Sequence, residues 1–373
     1  MDKKRALLTG IALAVLAVLV YVQIRTWKNF DWDLFLSQTH NVSKFHILHG
    51  IALIYIGYVL RAVRWKIFLR PVRPNASTIK LVAPTMIGFT GLALLGRPGE
   101  LIRPYLIAKQ EKLPFSSQLA VWAVERIFDI GAFTFLLVLA AFFATAPKRL
   151  AYYGSFREVG LIFTGLVVVL TSAAIAVHRS GDALAGWVEK RFAHLSSNIG
   201  SRIALRIREF RDGLNTIHGT SSLLMLIGVS VLMWAIIAVA YKEVTHSYGT
   251  GCSAAPAADV CKLEIPQTQV LLLMGSSMVG SLIQLPGVGG GSQLATISML
   301  NHVFDVPPEL ATSCGIMLWL VTFVAVIPLG LLLAHRERLS LRKLSEESAH
   351  AEETEAASGN TALEVNPRPT SAK

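Results

Sequence analysis

An all-α, polytopic bundle of membrane-crossing helices is the fold this sequence predicts, and three observations predict it. Apolar residues make up 53% of the 373 positions and charged residues only 16%, with a mean hydropathy of +0.52, a balance foreign to a water-soluble domain. The apolar residues gather in runs close to the roughly 20 positions a helix needs to cross a bilayer. The basic residues, which leave a formal net charge of +11, fall in short segments between those runs, where membrane topology rather than nucleic acid selects them.

The first run, Ala6 to Ile24, follows Lys3, Lys4 and Arg5 and so imitates a signal peptide, but it is long enough to span and no small-residue cleavage pattern follows, so a retained helix is expected. Further runs cover about 46–60, 81–96, 118–146, 158–177, 222–241, 269–302 and 311–334. Two of them are broken. The run 81–96 is followed at once by Gly96, Pro98, Gly99 and Pro104, and the run 269–302 is interrupted by LPGVGGGSQ, with Pro286, Gly287 and Gly289 at the break. Lipid cannot satisfy the backbone groups freed at such points, so protein or a watery cavity must cover them, and two re-entrant helical hairpins are expected.

Charge supports that arrangement. With a cytoplasmic N-terminus and both hairpins returning to their own side, the basic segment 61–80, the loop 178–221 and the tail from Arg336 all fall inside. Counting either hairpin as a crossing would invert every later loop. The expectation is about six full spans and two hairpins, with both termini cytoplasmic, in a bacterial inner membrane. A transmembrane domain then covers 1–340 and a polar, disordered tail 341–373.

Between spans, residues 187–217 repeat apolar positions every three or four residues opposite a basic face, which predicts an amphipathic helix lying on an anionic bilayer surface or packing on another subunit. Cys252 and Cys261 share one segment assigned outside, where a disulfide is favoured over two free thiols or a metal pair. His46 and His49 share a helix face, but without a carboxylate partner they predict packing rather than metal, and no metal or other cofactor is expected.

Charges in apolar surroundings mark the candidate site. In LLGRPGELIRPYLIAK, residues 94–109, a glycine-proline turn leads into a helix start, a geometry that aims backbone N–H groups at an anion. Arg97 and Arg103 add guanidinium forks suited to phosphate oxygens. Downstream, Glu125 and Asp129 stand one turn apart beside Arg126, and Glu125 can pair with Arg97 or Arg103. The same charges, Glu100 included, also fit a salt-bridge network that only locks the hairpin.

GRPGELIRPYLIAK, the ERIFD of Glu125 to Asp129, the RAVRW of Arg61 to Trp65 and the broken LPGVGGG together resemble the lysylphosphatidylglycerol synthase transmembrane-region family, also called flippase-like membrane proteins. The resemblance spans about residues 10 to 335. It implies movement of phospholipids or polyprenyl-linked lipids between leaflets. It also implies roles for Arg61, Arg64, Arg97, Gly99, Glu100, Arg103, Glu125, Arg126, Asp129, Pro286 and Gly287. Where relatives carry an Arg-Glu pair after the glycine turn, this chain has Ser292 and Gln293, which speaks against a cycle driven by carboxylate protonation there but leaves two side chains able to hydrogen-bond a head group.

The expected function is therefore translocation of an anionic phospholipid or polyprenyl-phosphate-linked lipid, with the head group on Arg61, Arg64, Arg97, Gly99, Arg103, Ser292 and Gln293. An integral membrane enzyme or an accessory subunit of a lipid- or glycolipid-modifying pathway is the alternative. The chain has no phosphate loop, metal-binding cluster or Ser/His/Asp arrangement among these motifs, so an enzyme is not expected. The expected partners are the lipid substrate and the anionic bilayer surface. A second copy or a lipid-modifying enzyme is left open, and nucleic acid is excluded.

Overall fold

The computed structural model describes residues 30–143, 219–248, 265–281, 289–337 and 339–348, with isolated positions elsewhere. The expected Cys252–Cys261 pair, the turn residues Pro286 and Gly287, and nearly all of the 187–217 segment lie outside the described residues. Apart from one two-residue antiparallel pair, the regular structure described is helical, and the protein is an all-α membrane protein.

A short helix α1 (Trp32–His40), N-capped by the Asp31 carboxylate accepting from the Leu34 N–H at 2.9 Å, leads into α2 (Lys44–Leu69). Helix α3 (Thr78–Leu95) ends at Gly96, a 3-10 turn (Arg97–Leu101) reverses the chain, and α4 (Ile102–Glu111) runs back. Then come α5 (Phe115–Phe143), α6 (Gly219–His246) and α7 (Gln267–Gly280). Strands β1 (Gln284–Leu285) and β2 (Gly289–Gly290) pair and lead into α8 (Gly291–Ser298), continued by a π-helical turn (Met299–Val303). Helix α9 (Pro308–Trp319), a second π turn (Leu320–Val324) and α10 (Val326–Arg336) form one long rod.

Among the described residues, four helical stretches are long and apolar enough to cross a membrane: Lys44–Leu69, Thr78–Leu95, Thr220–His246 and Pro308–Arg336. Large apolar side chains such as Ile56, Val59, Val138, Leu224, Leu232 and Leu331 face outward, while Arg64, Arg103, Glu125 and Asp129 are buried. That inversion of the water-soluble pattern is what a lipid solvent demands.

The α3–α4 pair is a hairpin by its contacts. Ideal Cβ positions at Gly88 and Gly91 meet Arg103 and Ile102, so the two helices run antiparallel. The close approach depends on Gly99, where a Cβ would overlap the Gly91 backbone, and on Gly96, which takes φ 70° at the turn. Helix α3 packs on α2 and on α10, where Thr90 Oγ1 donates to the Val326 carbonyl at 3.3 Å. Helix α7, at 14 residues, rises only about 21 Å, short of the roughly 30 Å of a hydrocarbon core. It folds back on α8, with Gly280 against Gly291 and Ala295.

The expected disordered tail from 341 needs correction at its start. Residues 341–348 are helical and dock on the first hairpin: Leu344 is 2% exposed, packed with Ile102 and Leu106, and Tyr105 donates its hydroxyl to Glu347 at 2.9 Å. The apolar positions Leu339, Leu341 and Leu344 supply the contact that an average composition over the whole tail conceals.

Asn41 and Asn75, both exposed, sit beyond opposite ends of α2. With the three native cysteines replaced by serine, Asn75→Cys is expected to react with an impermeant maleimide only from the cytoplasmic side and Asn41→Cys only from the other. Labelling of both from one side would mean that α2 does not cross.

Candidate functional site

The site grows around Arg64, which is fully buried on the face of α2 that meets α5 and α6. Its Nη1 donates to Asp129 Oδ1 at 2.7 Å and to Ser230 Oγ at 3.0 Å, and its Nη2 donates to Glu125 Oε1 at 2.5 Å. Glu125 and Asp129 can share one guanidinium because they lie one turn apart on α5. Glu125 also accepts from both terminal nitrogens of Arg103 on α4, and Asp129 Oδ1 accepts from Trp234 Nε1 at 3.1 Å. The Arg103 guanidinium lies over the Trp65 ring, 4.5 Å from its centroid, and 5.2 Å from that of Phe89.

A second tier of cations surrounds this core. Arg126, 44% exposed, stands 3.7 Å from Glu125 and 3.9 Å from Asp129, with its guanidinium 5.6 Å from the Trp122 ring centroid. Arg97 donates to Glu100 at 2.6 Å and to the Ser281 carbonyl at 3.1 Å, so the turn of the first hairpin is tied to the end of α7. Arg61 differs from the others. Its guanidinium is held by the rings of Phe89 and Tyr58, at 4.9 and 5.9 Å, and no carboxylate among the described residues is within ion-pair distance of it.

These groups border a cavity of about 310 Å³ lined by α2, α3, the 3-10 turn, α5, α6, α7 and the second π turn. Arg61, Arg97, Arg126, Glu100 and Asp129 are on its wall. Arg64 and Glu125 lie behind it, and Arg103 borders only a crevice of about 20 Å³ alongside. Four guanidiniums, those of Arg61, Arg64, Arg103 and Arg126, face two carboxylates, while Arg97 and Glu100 neutralise each other, so the cluster keeps a positive surplus. A cavity of this size with an uncompensated cation suits a small anion or an anionic head group.

Other predicted residues stand apart. Gly99 is buried in the hairpin turn. Ser292 is buried within α8, and Gln293 accepts from the Gly290 N–H at 3.4 Å, so both serve the start of that helix and neither borders the cavity. Gly289 belongs to β2. Cys314 is a buried free thiol.

Several wall and network residues were not singled out from the sequence: Tyr58, Ser230, Trp234, Tyr241 and Ser277. A signal existed, since Trp234, Ile237 and Tyr241 recur on one face of an otherwise aliphatic span. Glu243 was also missed. It accepts from His46 Nδ1 at 2.6 Å and lies 3.4 Å from His49 Nδ1, supplying across the helix interface the carboxylate that the local sequence lacks. Among the described residues no group of three or more ligands is placed to hold a metal ion.

A helical membrane protein with a buried ion network beside a cationic cavity is the class that fold and site define. The chain belongs to the family described as the lysylphosphatidylglycerol synthase TM region, whose model matches residues 8–330, a family of membrane proteins tied to lipid modification or transport. Two relatives, both called UPF0104 membrane protein and both from Methanothermobacter thermautotrophicus, are similar along most of their length. One is 22% identical over 299 residues, covering 76% of this chain and 83% of the relative. The other is 23% identical over 282 residues, covering 74% and 79%. No solved structure matches.

Removing a partner from a buried ion pair leaves an uncompensated charge and costs about 3–5 kcal/mol. Arg64→Leu is therefore expected to lower the melting temperature in detergent sharply. Arg61→Gln, which breaks no ion pair, should leave it nearly unchanged. Differential scanning fluorimetry of the two purified variants checks the contrast.

Proposed function

We propose that this chain moves an anionic lipid between leaflets, with the head-group phosphate held in the cavity by Arg61 and supported by Arg126. The observation that carries the reading is the contrast between guanidiniums. Arg64 and Arg103 are committed to Glu125 and Asp129, whereas Arg61 faces the cavity with aromatic rings as its neighbours. Arg61 is half-buried, and holding a cation at membrane depth without a bonded carboxylate is costly; a phosphate would relieve that cost through two parallel hydrogen bonds. Arg103 then acts as a lock on the hairpin rather than as a ligand contact, because Glu125 already occupies its fork.

The cavity volume suits a head group and not acyl chains, so the tails would remain in lipid while the charged group passes along a protein-lined path. The two hairpins form part of that path's wall: Arg97, at the turn of one, holds the Ser281 carbonyl at the end of the other's first arm. This reading treats the chain as a carrier and not an enzyme, in a bacterial inner membrane with both termini cytoplasmic. A second copy or a lipid-modifying enzyme would act beside it as partner, and the basic segment 187–217 would rest on the anionic bilayer surface.

The test is lipid transfer by the full chain in phosphatidylcholine vesicles carrying a trace of tail-labelled phosphatidylglycerol, read by dithionite quenching. Arg61→Gln should slow transfer by about tenfold or more, the effect of losing a charge-assisted hydrogen bond. Arg61→Lys should restore only part, since lysine keeps the charge without the fork. Transfer unaffected by Arg61→Gln at unchanged melting temperature would overturn the assignment.

A further inference from the structure

We infer that residues 339–348 form a strap that restrains the first hairpin, an inhibitory contact whose release speeds lipid transfer; the inference rests on the carrier reading proposed above. The strap is one-sided. Leu339, Leu341 and Leu344 pack inward, whereas Arg342, Lys343 and Glu346 are exposed. Leu344, buried at the centre, shares one apolar cluster with Ile87 of α3, Ile102 and Leu106 of α4 and Ala334 of α10. A polar contact fixes the register: Tyr105 of α4 donates its hydroxyl to Glu347 at 2.9 Å, and the Tyr105 ring lies 6.1 Å from that of Phe115.

Helix α4 is the element that needs holding. Its 10 residues rise only about 15 Å, half of a hydrocarbon core, so the bilayer does not fix its position as it fixes a full span. Ile102 and Leu106, one turn apart, form its face toward the strap. Arg103 projects from a different face and bonds Glu125. Immediately before α4, the 3-10 turn carries Arg97 and Glu100 on the cavity wall. A shift of α4 therefore displaces that wall. None of the described residues of 339–348 borders the cavity, so the strap acts on it only through the hairpin. The strap also lies outside residues 8–330, the stretch that the family model matches, which suits a control element added to a transport unit.

The strap has two states by its nature. Eight helical residues are too few to persist alone in water. The pairs Arg342–Glu346 at 3.1 Å and Lys343–Glu347 at 3.9 Å are solvent-facing and add little. The leucine contacts thus keep the segment helical, and undocking and unfolding are one event. The Leu339 N–H donates to the Ala334 carbonyl at 2.8 Å, so the strap starts directly beyond α10 and a released strap stays tethered beside its site. After release α4 keeps its packing on α3 and the Arg103–Glu125 bond, so the hairpin loosens without dismantling the ion network.

Hydrogen exchange of the purified full chain, read by mass spectrometry, and the vesicle transfer assay with tail-labelled phosphatidylglycerol test the strap together. Leu344→Lys, which puts a charge into the apolar cluster, should speed amide exchange over Ile102–Glu111 and 341–348 while α2 and α6 exchange as in the wild type. It should also raise the transfer rate on the order of tenfold, the shift that losing one buried leucine makes in a two-state contact. Leu344→Met keeps the apolar volume and should leave both readouts at wild-type values. With the native cysteines replaced by serine, Tyr105→Cys and Glu347→Cys joined by a cleavable bismaleimide should slow transfer until the linker is reduced. Unchanged exchange over α4 in Leu344→Lys would overturn the strap. So would transfer by that variant at or below the wild-type rate, or cross-linked protein that transfers as fast as the free form. Transfer by none of the proteins, wild type included, would overturn the carrier reading and the inhibitory role with it, even where exchange over α4 still answers to Leu344→Lys.

Discussion

Arg64 carries the constraint on which the remaining structure depends: a guanidinium with no exposed surface must be given carboxylates where lipid offers nothing. The only way to satisfy it is to bring helices together. Arg64 comes from α2, its two carboxylates come from α5, and Ser230 comes from α6. Glu125 then recruits Arg103 and so fixes α4, the return arm of the first hairpin. Trp234 completes the shell of Asp129. An apolar core with the same volume would pack these helices, but in lipid, where apolar faces have little reason to prefer one another over acyl chains, it would not specify one register. The ion network does, since each member has few alternatives.

Once the network is closed, its unsatisfied remainder becomes chemically meaningful. Arg64 and Arg103, each bonded to carboxylates, lie behind the cavity wall or beside it, and Arg61, which bonds none, borders the cavity. Arg126 is intermediate, within long range of both carboxylates and partly open. A network that first locks the helices and then leaves a positive surplus at a cavity can serve a structural role and the proposed ligand-binding role within one set of residues. The two roles belong to different members.

The hairpins give that cavity its polar access. In each, a glycine-rich reversal lets two short helices pack closely: Gly99 on Gly91 in the first, Gly280 on Gly291 in the second. Arg97 bridges them through the Ser281 carbonyl, a backbone group that the C-terminal end of α7 leaves free. The helix over 341–348 adds a clamp from the other side, with Leu344 in the apolar cluster formed by Ile87, Ile102 and Leu106.

The sequence by itself determined the class of fold, because composition and run length are set by the solvent a helix must face, and lipid leaves few choices. It also marked both chain reversals, since glycine and proline act locally, and it marked Arg97, Arg103, Glu125 and Asp129 as charges needing a reason. Only the tertiary structure decided which charge meets which. Arg64 and Asp129 are 65 positions apart and Arg64 and Ser230 are 166 apart, separations over which no local periodicity carries information. The same holds for Glu243, hidden from His46 by 197 positions, and for the hydroxyls of Tyr241 and Ser277, ordinary residues until two helices place them on one wall. That Arg61 rather than Arg103 faces the cavity was likewise undecidable from type or spacing. Both are arginines beside aromatic and apolar neighbours, and what distinguishes them is whether a carboxylate from another helix arrives, which packing alone settles.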